Sequence, residues 1–279
     1  MKSIANKIHE GLATAYSDGE IKALTRIIAT ELLGVPQMTF FLKDDVSLSA
    51  EQQALLDNAI ERLKKQEPIQ YILGYSDFCG LRFKVTPDTL IPRPETSELV
   101  EWISADYSCK AVNILDIGTG SGCIAISLAH KLPQSKTTAW DISPDALAVA
   151  AENSKANNCN VAFEQVDILA YEPVGEQFDI IVSNPPYIKE VEKELMHANV
   201  LDWEPHTALF VPDSDPLLFY RIIAKKGLKM LEPGGRLYFE INRAHGNETS
   251  DMLASLGYTD IKLRKDFADN DRMIRAVKN

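Results

Sequence analysis

The run Asn184-Pro185-Pro186-Tyr187 combines residue types that could hold a planar NH2 group. It follows the apolar stretch 178–182, so we expect it at the carboxyl end of a strand. An amide or ring-amino nitrogen is a poor nucleophile because its lone pair is shared by resonance. Two oxygen acceptors aimed at its N–H bonds would stabilise the positive charge that develops during attack. The Asn184 side chain and the Pro185 carbonyl are the candidate acceptors, and Tyr187 offers a flat face.

The prolines make this segment stiff. Proline fixes its own φ and keeps the preceding residue extended, which directs the carbonyls of Asn184 and Pro185. The alternative is an ordinary proline turn that leaves a buried strand, with Asn184 capping local backbone. The residues upstream favour the site.

A glycine turn, Gly118-Thr119-Gly120-Ser121-Gly122, lies between the apolar run 112–117 and a helical pattern. Glycine lets a ligand approach bare backbone, and the start of a helix offers unpaired N–H groups. Cys123 stands where a dinucleotide fingerprint needs glycine, and no Lys-Ser/Thr pair follows as in a phosphate loop. The turn therefore predicts a cofactor site without phosphate chemistry. Asp116, just before it, is predicted to hold a cofactor ammonium group directly or through water.

Two acids follow the next strands. Asp141 ends a strand about twenty residues past the turn, where a Rossmann-like sheet places an acid on ribose hydroxyls. Its alternative role is a turn near Ser143-Pro144, although Ser143 is the better helix cap. Asp167 is predicted to accept from an adenine amino group and Ile168 to pack on the ring, with a plain strand-end turn as the alternative. Asn184 to Tyr187 are called the clamp below, because they could hold an NH2 group. Together with the clamp, these features predict S-adenosylmethionine as methyl donor, and transfer from its sulfonium needs no metal.

Composition limits the classes of partner. The chain has 279 residues and a formal charge of −11 at pH 7, so extended nucleic-acid binding is not expected. No stretch reaches ~18 consecutive apolar residues and the first residues lack a signal-peptide core, which predicts a cytoplasmic protein without a membrane partner. The cysteines lack CxxC spacing and are interpreted as reduced structural thiols rather than metal ligands, at Cys79, Cys109, Cys123 and Cys159.

The order of elements predicts an α/β fold with a small all-helical N-terminal domain. Residues 1–75 show helical periodicity and are interpreted as a substrate-docking domain. Residues 76–96 are expected to form a hairpin and a proline-rich linker, in which Arg93 and Glu95 either border the active site or merely space two domains. Residues 97–279 alternate strand and helix, which predicts a doubly wound catalytic domain. Its last two strands are too close for a crossover and should be antiparallel.

Three motifs resemble those of the bacterial release-factor glutamine methyltransferases. They are Ile91-Pro92-Arg93-Pro94-Glu95-Thr96, Asp116-Ile117-Gly118-Thr119-Gly120-Ser121-Gly122 and Asn184-Pro185-Pro186-Tyr187-Ile188. The similarity covers nearly the whole chain and includes Gln70-Tyr71-Ile72-Leu73-Gly74, Glu204-Pro205 with Ala208-Leu209, and Asp271-Arg272. Asn242 and Asp269 stand where glycine is common in the family. These two differences concern the local turn geometry and not the chemistry.

The resemblance implies a Rossmann-like S-adenosylmethionine-dependent methyltransferase sheet. It implies methyl transfer to the side-chain amide nitrogen of the glutamine in the Gly-Gly-Gln motif of class I peptide-chain release factors. It places Gly118 to Gly122, Asp141, Ile168 and Asn184 at the cofactor, and Asn184 to Tyr187 at the substrate amide. One rival is a methyltransferase for the exocyclic amino group of adenine or guanine, against which the acidic charge argues. The other is a noncatalytic adaptor that binds cofactor or partner without turnover.

Overall fold

A computed structural model describes residues 2–42, 46–108, 110–175 and 177–279. Cys109, one of the four cysteines, lies outside the described residues. The chain divides into two compact units, Met1–Gly74 with His197–Trp203, and Tyr75–Met196 with Glu204–Asn279. The boundaries predicted for three functional segments stay a prediction.

The helices follow one another in chain order as α1 (Lys2–Leu12), α2 (Asp18–Ile27), α3 (Gln37–Leu42), α4 (Ala50–Lys64), α5 (Ile69–Leu73), α6 (Pro94–Asp106), α7 (Cys123–Lys131), α8 (Pro144–Ala156), α9 (Ala198–Leu201), α10 (Leu218–Met230) and α11 (Gly246–Ser255). The strands are β1 (Tyr75–Phe78), β2 (Leu81–Lys84), β3 (Asn113–Ile117), β4 (Lys136–Asp141), β5 (Val161–Gln165), β6 (Phe178–Ser183), β7 (Ile188–Lys189), β8 (Phe210–Val211), β9 (Leu231–Glu240), β10 (Thr259–Lys265) and β11 (Asp271–Val277).

The first unit is helical, as the sequence predicts. Ser17 caps the start of α2 and Ser49 caps the start of α4. In each capping box, the serine side chain accepts from the backbone N–H of a Glu or Gln three residues later, whose side chain accepts from the serine N–H. A π-helical turn, Ile28–Leu32, continues α2. The apolar faces form one core, which includes Ile8, Leu12, Ile28, Leu56 and Leu63. No helix among the described residues has the length and apolar character needed to cross a bilayer.

The second unit is built on a seven-stranded sheet of order β10-β11-β9-β6-β3-β4-β5. The pairs from β9 to β5 are parallel, whereas β11 is antiparallel to both β9 and β10. The antiparallel final pair is thus confirmed. The chain moves outward in opposite directions from β3 and β6, which makes their carboxyl ends the topological switch point where such sheets bind ligands.

Alternating side chains give the sheet a core on each face. Ile180 and Val182 of β6 join one apolar cluster, and Ile181 joins the other. Strand side chains point to opposite faces in turn, so a fully apolar run is what a sheet covered on both sides requires. The clusters fix the position of the strand ends, and hence of the residues that follow them.

The hairpin expected at the start of segment 76–96 is formed by β1 and β2, which pair antiparallel from Tyr75↔Lys84 to Phe78↔Leu81 and so begin at Tyr75. Its two-residue turn, Cys79 and Gly80, has φ values of 49° and 79°. Two positive φ values match the twist of the strands that a tight hairpin joins.

Candidate active site

A cavity of ≈ 380 Å³ opens at the carboxyl ends of β3, β4 and β6. That volume is in the usual range for small-molecule sites. Its wall contains most of the residues predicted from the sequence, namely Gly118, Thr119, Gly120, Ser121, Asp141, Asp167, Ile168, Asn184, Pro185 and Pro186. Asp116, Gly122 and Tyr187 are described residues that lie outside this wall.

The glycine turn is held by hydrogen bonds to β4. The Gly118 and Thr119 N–H groups donate to the Trp140 carbonyl at 2.8 and 3.0 Å. Gly122 has φ +80°, and a Cβ there would lie 2.7 Å from Ile126 Cδ1. A side chain at 122 would therefore be strained by both conformation and crowding. In the first turn of α7, the Ile126 N–H donates to the Gly122 carbonyl at 2.9 Å, which ties the turn to the helix.

Asp141 connects this turn to the next helix. Its Oδ2 accepts from the Gly120 N–H at 2.8 Å and its Oδ1 from the Ser143 N–H at 2.9 Å. Ser143 itself caps α8. Burial raises the pKa of Asp141. Asp141 lines the cavity, and a carboxylate oxygen can accept more than one hydrogen bond, so ribose hydroxyls can be accommodated; the ribose contact stays a prediction.

Asp116 is fully buried behind the turn. Its Oδ2 accepts from Thr119 Oγ1 at 2.6 Å and from the Ala125 N–H at 3.2 Å. Oδ1 is buried and has no hydrogen bond within the described chain. Burial raises the pKa of Asp116 to about 7. The side chain braces the turn against α7, and the predicted contact with a cofactor ammonium group stays a prediction.

Asp167 and Ile168 lie on the cavity wall beyond β5. Asp167 Oδ1 accepts from the Leu169 N–H at 2.8 Å, and its carbonyl accepts from the Tyr171 N–H at 2.8 Å. The strand-end turn that was the alternative is therefore present. It occupies one carboxylate oxygen, and the predicted contact with adenine stays a prediction.

The Asn184-Pro185-Pro186 segment follows β6 directly. Ser183 Oγ donates to the Ile117 carbonyl at 2.6 Å, which ties the ends of β6 and β3 together. Asn184 lies next to it on the wall. None of the described residues makes a hydrogen bond to the Asn184 side chain, whose amide oxygen is thus available to a ligand.

Tyr187 is placed differently from the expectation of a flat face on the site. Its ring packs against the apolar cluster on one face of the sheet. Its hydroxyl donates to Glu240 Oε1 at 3.2 Å, and its carbonyl accepts from Asn242 Nδ2 at 3.1 Å. A buried tyrosine hydroxyl needs such a partner, and satisfying it turns the ring away from the wall.

Part of the proline loop borders the cavity, and its predicted place beside the active site stays a prediction. Leu90 to Arg93 and Thr96 line the wall, whereas Glu95 does not. Arg93 Nη2 donates to Glu204 Oε1 at 2.5 Å, and the Ile91 N–H donates to Glu204 Oε2 at 3.1 Å.

Other wall residues carry no motif of their own. They include Ile142, Leu169, Pro205, Thr207, Ala208, Phe210 and Phe219. The segment from Glu204 to Leu209 stood out only through the family resemblance. Among the described residues, no three His, Cys, Asp or Glu side chains form a group that could hold a metal ion. The described cysteines Cys79, Cys123 and Cys159 are free.

A doubly wound sheet with a glycine turn, a strand-end acid and a half-buried amide at its switch point is the arrangement of the methyltransferase class, and the family comparison agrees. The Methyltransferase small domain family matches residues 95–202, and the PrmC N-terminal domain family matches residues 6–74. A release factor glutamine methyltransferase of Bacteroides thetaiotaomicron is 50% identical over 99% of both chains. One of Flavobacterium psychrophilum is 44% identical over 99% of this chain and 98% of its own.

The chain therefore belongs to the release factor glutamine methyltransferase family, whose reaction uses S-adenosylmethionine as methyl donor. Solved structures agree on the fold. A Pyrococcus furiosus methyltransferase has a TM-score of 0.53 at 18% identity and covers 83% of this chain and 100% of its own. A Thermus thermophilus 16S rRNA methyltransferase, solved with AdoMet and guanosine, has a TM-score of 0.52 at 16% identity and covers 74% of this chain and 50% of its own.

Proposed function

We propose that this chain transfers a methyl group from S-adenosylmethionine to the side-chain amide nitrogen of the glutamine in the Gly-Gly-Gln motif of class I release factors. The observation that carries the proposal is the position of Asn184 and Pro185. They lie on the wall of the same cavity as the glycine turn and Asp141. A methyl donor held by the turn and an amide held by Asn184 would then share one enclosed space. The names of the full-length relatives support the acceptor.

The residues of the chain fit that cofactor. Asp141 presents a carboxylate for ribose hydroxyls, and the turn presents backbone without a side chain at Gly118 and Gly120, which both line the cavity. Bound S-adenosylmethionine supplies a methyl already activated by its sulfonium. The protein has to hold the acceptor in line with it, which is a problem of orientation rather than of bond activation.

Asn184 is assigned the central role in orienting the acceptor. Its side-chain oxygen and the Pro185 carbonyl accept from the two N–H bonds of the glutamine amide. This favours a pyramidal nitrogen, whose lone pair attacks the methyl as the carbon–sulfur bond breaks. The product carries one proton more than a neutral amide and loses it to water. No general base is required before attack, because the protonated product amide is acidic enough to lose its proton to water. The two oxygens act on the charge that develops in the transition state.

The helical unit is proposed to dock the acceptor protein, in agreement with the PrmC N-terminal domain match. A release factor works in translation, so the cytoplasm is the proposed location. Asp167 and Ile168 are proposed for the adenine, and Asp116 for the amino-acid end of the cofactor through the turn it braces.

The test is transfer of a tritiated methyl group to separate acceptors. Purified release factor, its Gly-Gly-Gln variant with Gln→Ala, total RNA and total DNA are each incubated with the protein and labelled donor. We expect label in the intact factor alone. Label in RNA or DNA, or equal label in the Gln→Ala factor, would contradict the proposed acceptor.

A further inference from the structure

Glu240 is a buried carboxylate at the carboxyl end of β9, with 1% of its surface exposed. Thr96 Oγ1 donates to its Oε2 at 2.5 Å, and the Tyr187 hydroxyl donates to its Oε1 at 3.2 Å. One side chain thus joins the start of α6, which follows the proline loop, to the end of the Asn184-to-Tyr187 segment. Thr96 also lies on the cavity wall.

A second connection holds Tyr187 by its main chain. Asn242, two residues beyond Glu240, donates from Nδ2 to the Tyr187 carbonyl at 3.1 Å. The Asn242 N–H is itself bound to the Tyr220 hydroxyl at 3.2 Å. The residue that ends the clamp is therefore fixed at both its hydroxyl and its carbonyl by groups that follow β9. Pro185 and Pro186 have fixed φ angles, so holding Tyr187 in place also restricts the position of Asn184.

Burying the Glu240 carboxylate between these elements has a free-energy cost. Burial raises the pKa of Glu240, while hydrogen bonds from Thr96 and Tyr187 and the charge of Arg272 lower it. Removing a charge from water costs more than packing an apolar side chain of the same size. The hydroxyls of Thr96 and Tyr187 each bind one oxygen of Glu240. These directional bonds fix the distance between the proline loop and the Asn184-to-Tyr187 segment, which an apolar residue could not do.

We propose that Glu240 is a positioning residue for methyl transfer. It holds the Tyr187 hydroxyl so that Asn184 and Pro185 keep their acceptors aligned, and it holds Thr96 so that the proline loop keeps its place opposite them. Tyr187 is then an anchor rather than a stacking surface. The inference rests on the proposed function of the clamp.

Tyr187→Phe tests the anchor because it removes the hydroxyl and keeps the ring. We expect kcat for methylation of the release factor to fall by a factor of about 10 to 100, since displacements near 1 Å in a reacting geometry cost up to ~10²-fold. KM for S-adenosylmethionine should stay within a factor of two. A stacking role would leave Tyr187→Phe close to wild type, and that result would overturn the proposal.

Tyr258→Phe is the matched control. Its hydroxyl is buried and donates to the Ala224 carbonyl at 2.9 Å, on a helix that covers the sheet. It loses a buried hydrogen bond of the same kind, and we expect its kcat to match wild type. An equal loss in both variants would show that the effect is general destabilisation and would contradict a specific role.

Glu240→Gln and the double variant with Tyr187→Phe complete the cycle. If the two residues act as one unit, the double variant should lose less than the product of the two single losses. Independent, multiplying losses would contradict the coupling. Should Glu240→Gln fail to fold, Thr96→Val removes the other hydroxyl and is expected to lower kcat with unchanged KM for the donor.

Hydrogen exchange separates this inference from the proposed function. The backbone amides of Asn184 and of residues 187–189 should exchange faster in Tyr187→Phe and Glu240→Gln than in wild type, and at the wild-type rate in Tyr258→Phe. This measurement needs no acceptor. If wild type fails to methylate the release factor, the proposed function is wrong while exchange still tests the anchor. Unchanged exchange with normal wild-type activity would overturn the anchor alone.

Discussion

The Asn184 side chain is on the cavity wall without a hydrogen bond from the described protein, although such amides usually find a partner. The two prolines that follow Asn184 keep its backbone rigid, so the side chain is preorganised. No free energy is then needed to reorient it during the reaction. Most of its contribution should therefore appear in the chemical step rather than in binding.

Replacing Asn184 by alanine is expected to lower kcat by ~10²–10³, the range for loss of one preorganised group of an oxyanion hole. The measurement is steady-state transfer of labelled methyl to the release factor. Asn157→Ala is the control, since its amide donates to the Arg82 carbonyl at 2.9 Å on the hairpin. A kcat for Asn184→Ala within twofold of wild type would contradict the clamp.

Asp116 gives a pH dependence of stability that can be worked out from its pKa. Burial raises that pKa from 3.8 to about 7 in the folded state. Between these values the folded state keeps a proton that the unfolded state has lost. Stability due to the protonated carboxyl is therefore fully present below about pH 4 and is lost as pH rises toward 7.

Asp116→Asn mimics the protonated group at every pH. Its amide oxygen can still accept from Thr119 and Ala125, as Oδ2 does. The free energy of unfolding of wild type minus that of the variant should fall by on the order of 4 kcal/mol from pH 4 to 7. Urea unfolding at four pH values measures it. A difference that is constant with pH would show that folding does not shift the pKa of Asp116.

At the scale of elements, Glu204 joins the two loops that form one side of the cavity. Its carboxylate, with 1% of the side chain exposed, accepts from Arg93 and from the Ile91 N–H. The segment after it contributes Pro205, Thr207 and Ala208 to the wall. The segment after Glu204 has only one 3-10 turn, His206–Ala208, near the wall, and the Glu204 carboxylate links it directly to the proline loop.

Glu204→Gln keeps the shape and removes the charge opposite Arg93. Losing one partner of a fully buried pair costs roughly 3–5 kcal/mol. We expect less here, because 31% of the Arg93 side chain is exposed to solvent. The free energy of unfolding should fall and KM for the acceptor should rise, as measured by urea unfolding and by transfer kinetics.

Asp77→Asn is the control for Glu204→Gln. It breaks a pair with Arg82 in which both side chains are more than half exposed. Exposed pairs contribute about 0–1 kcal/mol, so neither stability nor KM should change appreciably. Equal effects of the two substitutions would mean that Glu204 is an ordinary surface ion pair.

The strands of the sheet were predictable because each is a short apolar run next to turn residues. β6 is the clearest case, since its residues pack on both faces of the sheet. β9 is less clear from the sequence, because the run from Arg236 to Glu240 marks only the later part of a strand that begins at Leu231. Residues 232–235 include a proline and two glycines and lie at a register shift between β6 and β9, where Gly234 has φ +78°. The turn that local propensity favours is therefore kept as a bulge within the strand.

The motifs of the site were predictable because parallel strands bring their carboxyl ends to one edge. The residues that hold those motifs in place were not. Thr96 and Glu240 are 144 residues apart, and Ile91 and Glu204 are 113 apart. No local spacing encodes such contacts. Asp269 shows the opposite case: it has φ +62° where glycine is common in the family, a conformation that aspartate tolerates.

For the whole molecule, charge is the property that decides between acceptor classes. The formal charge is −11 at pH 7. Binding to a polyanion depends on phosphate contacts that release counterions, which an acidic protein makes only through a local basic face. The lysines near the end of α10 are one such cluster. Lys225 and Lys229 are exposed, whereas Lys226 donates to the Leu169 carbonyl at 3.1 Å and so supports the cavity loop.

Two free lysines on one helix are too few for strong nucleic-acid binding at physiological salt. We therefore expect methylation of the release factor to proceed at an unchanged rate, within a factor of two, when total RNA is added in large mass excess at 150 mM salt. Lys225→Glu with Lys229→Glu reverses the cluster and should leave that insensitivity as it is. Strong inhibition by RNA that this double variant relieves would identify α10 as a nucleic-acid surface. The amino group of a base would then again be a competing acceptor. RNA bound to α10 would lie on the helix whose Lys226 supports the loop beside the cavity.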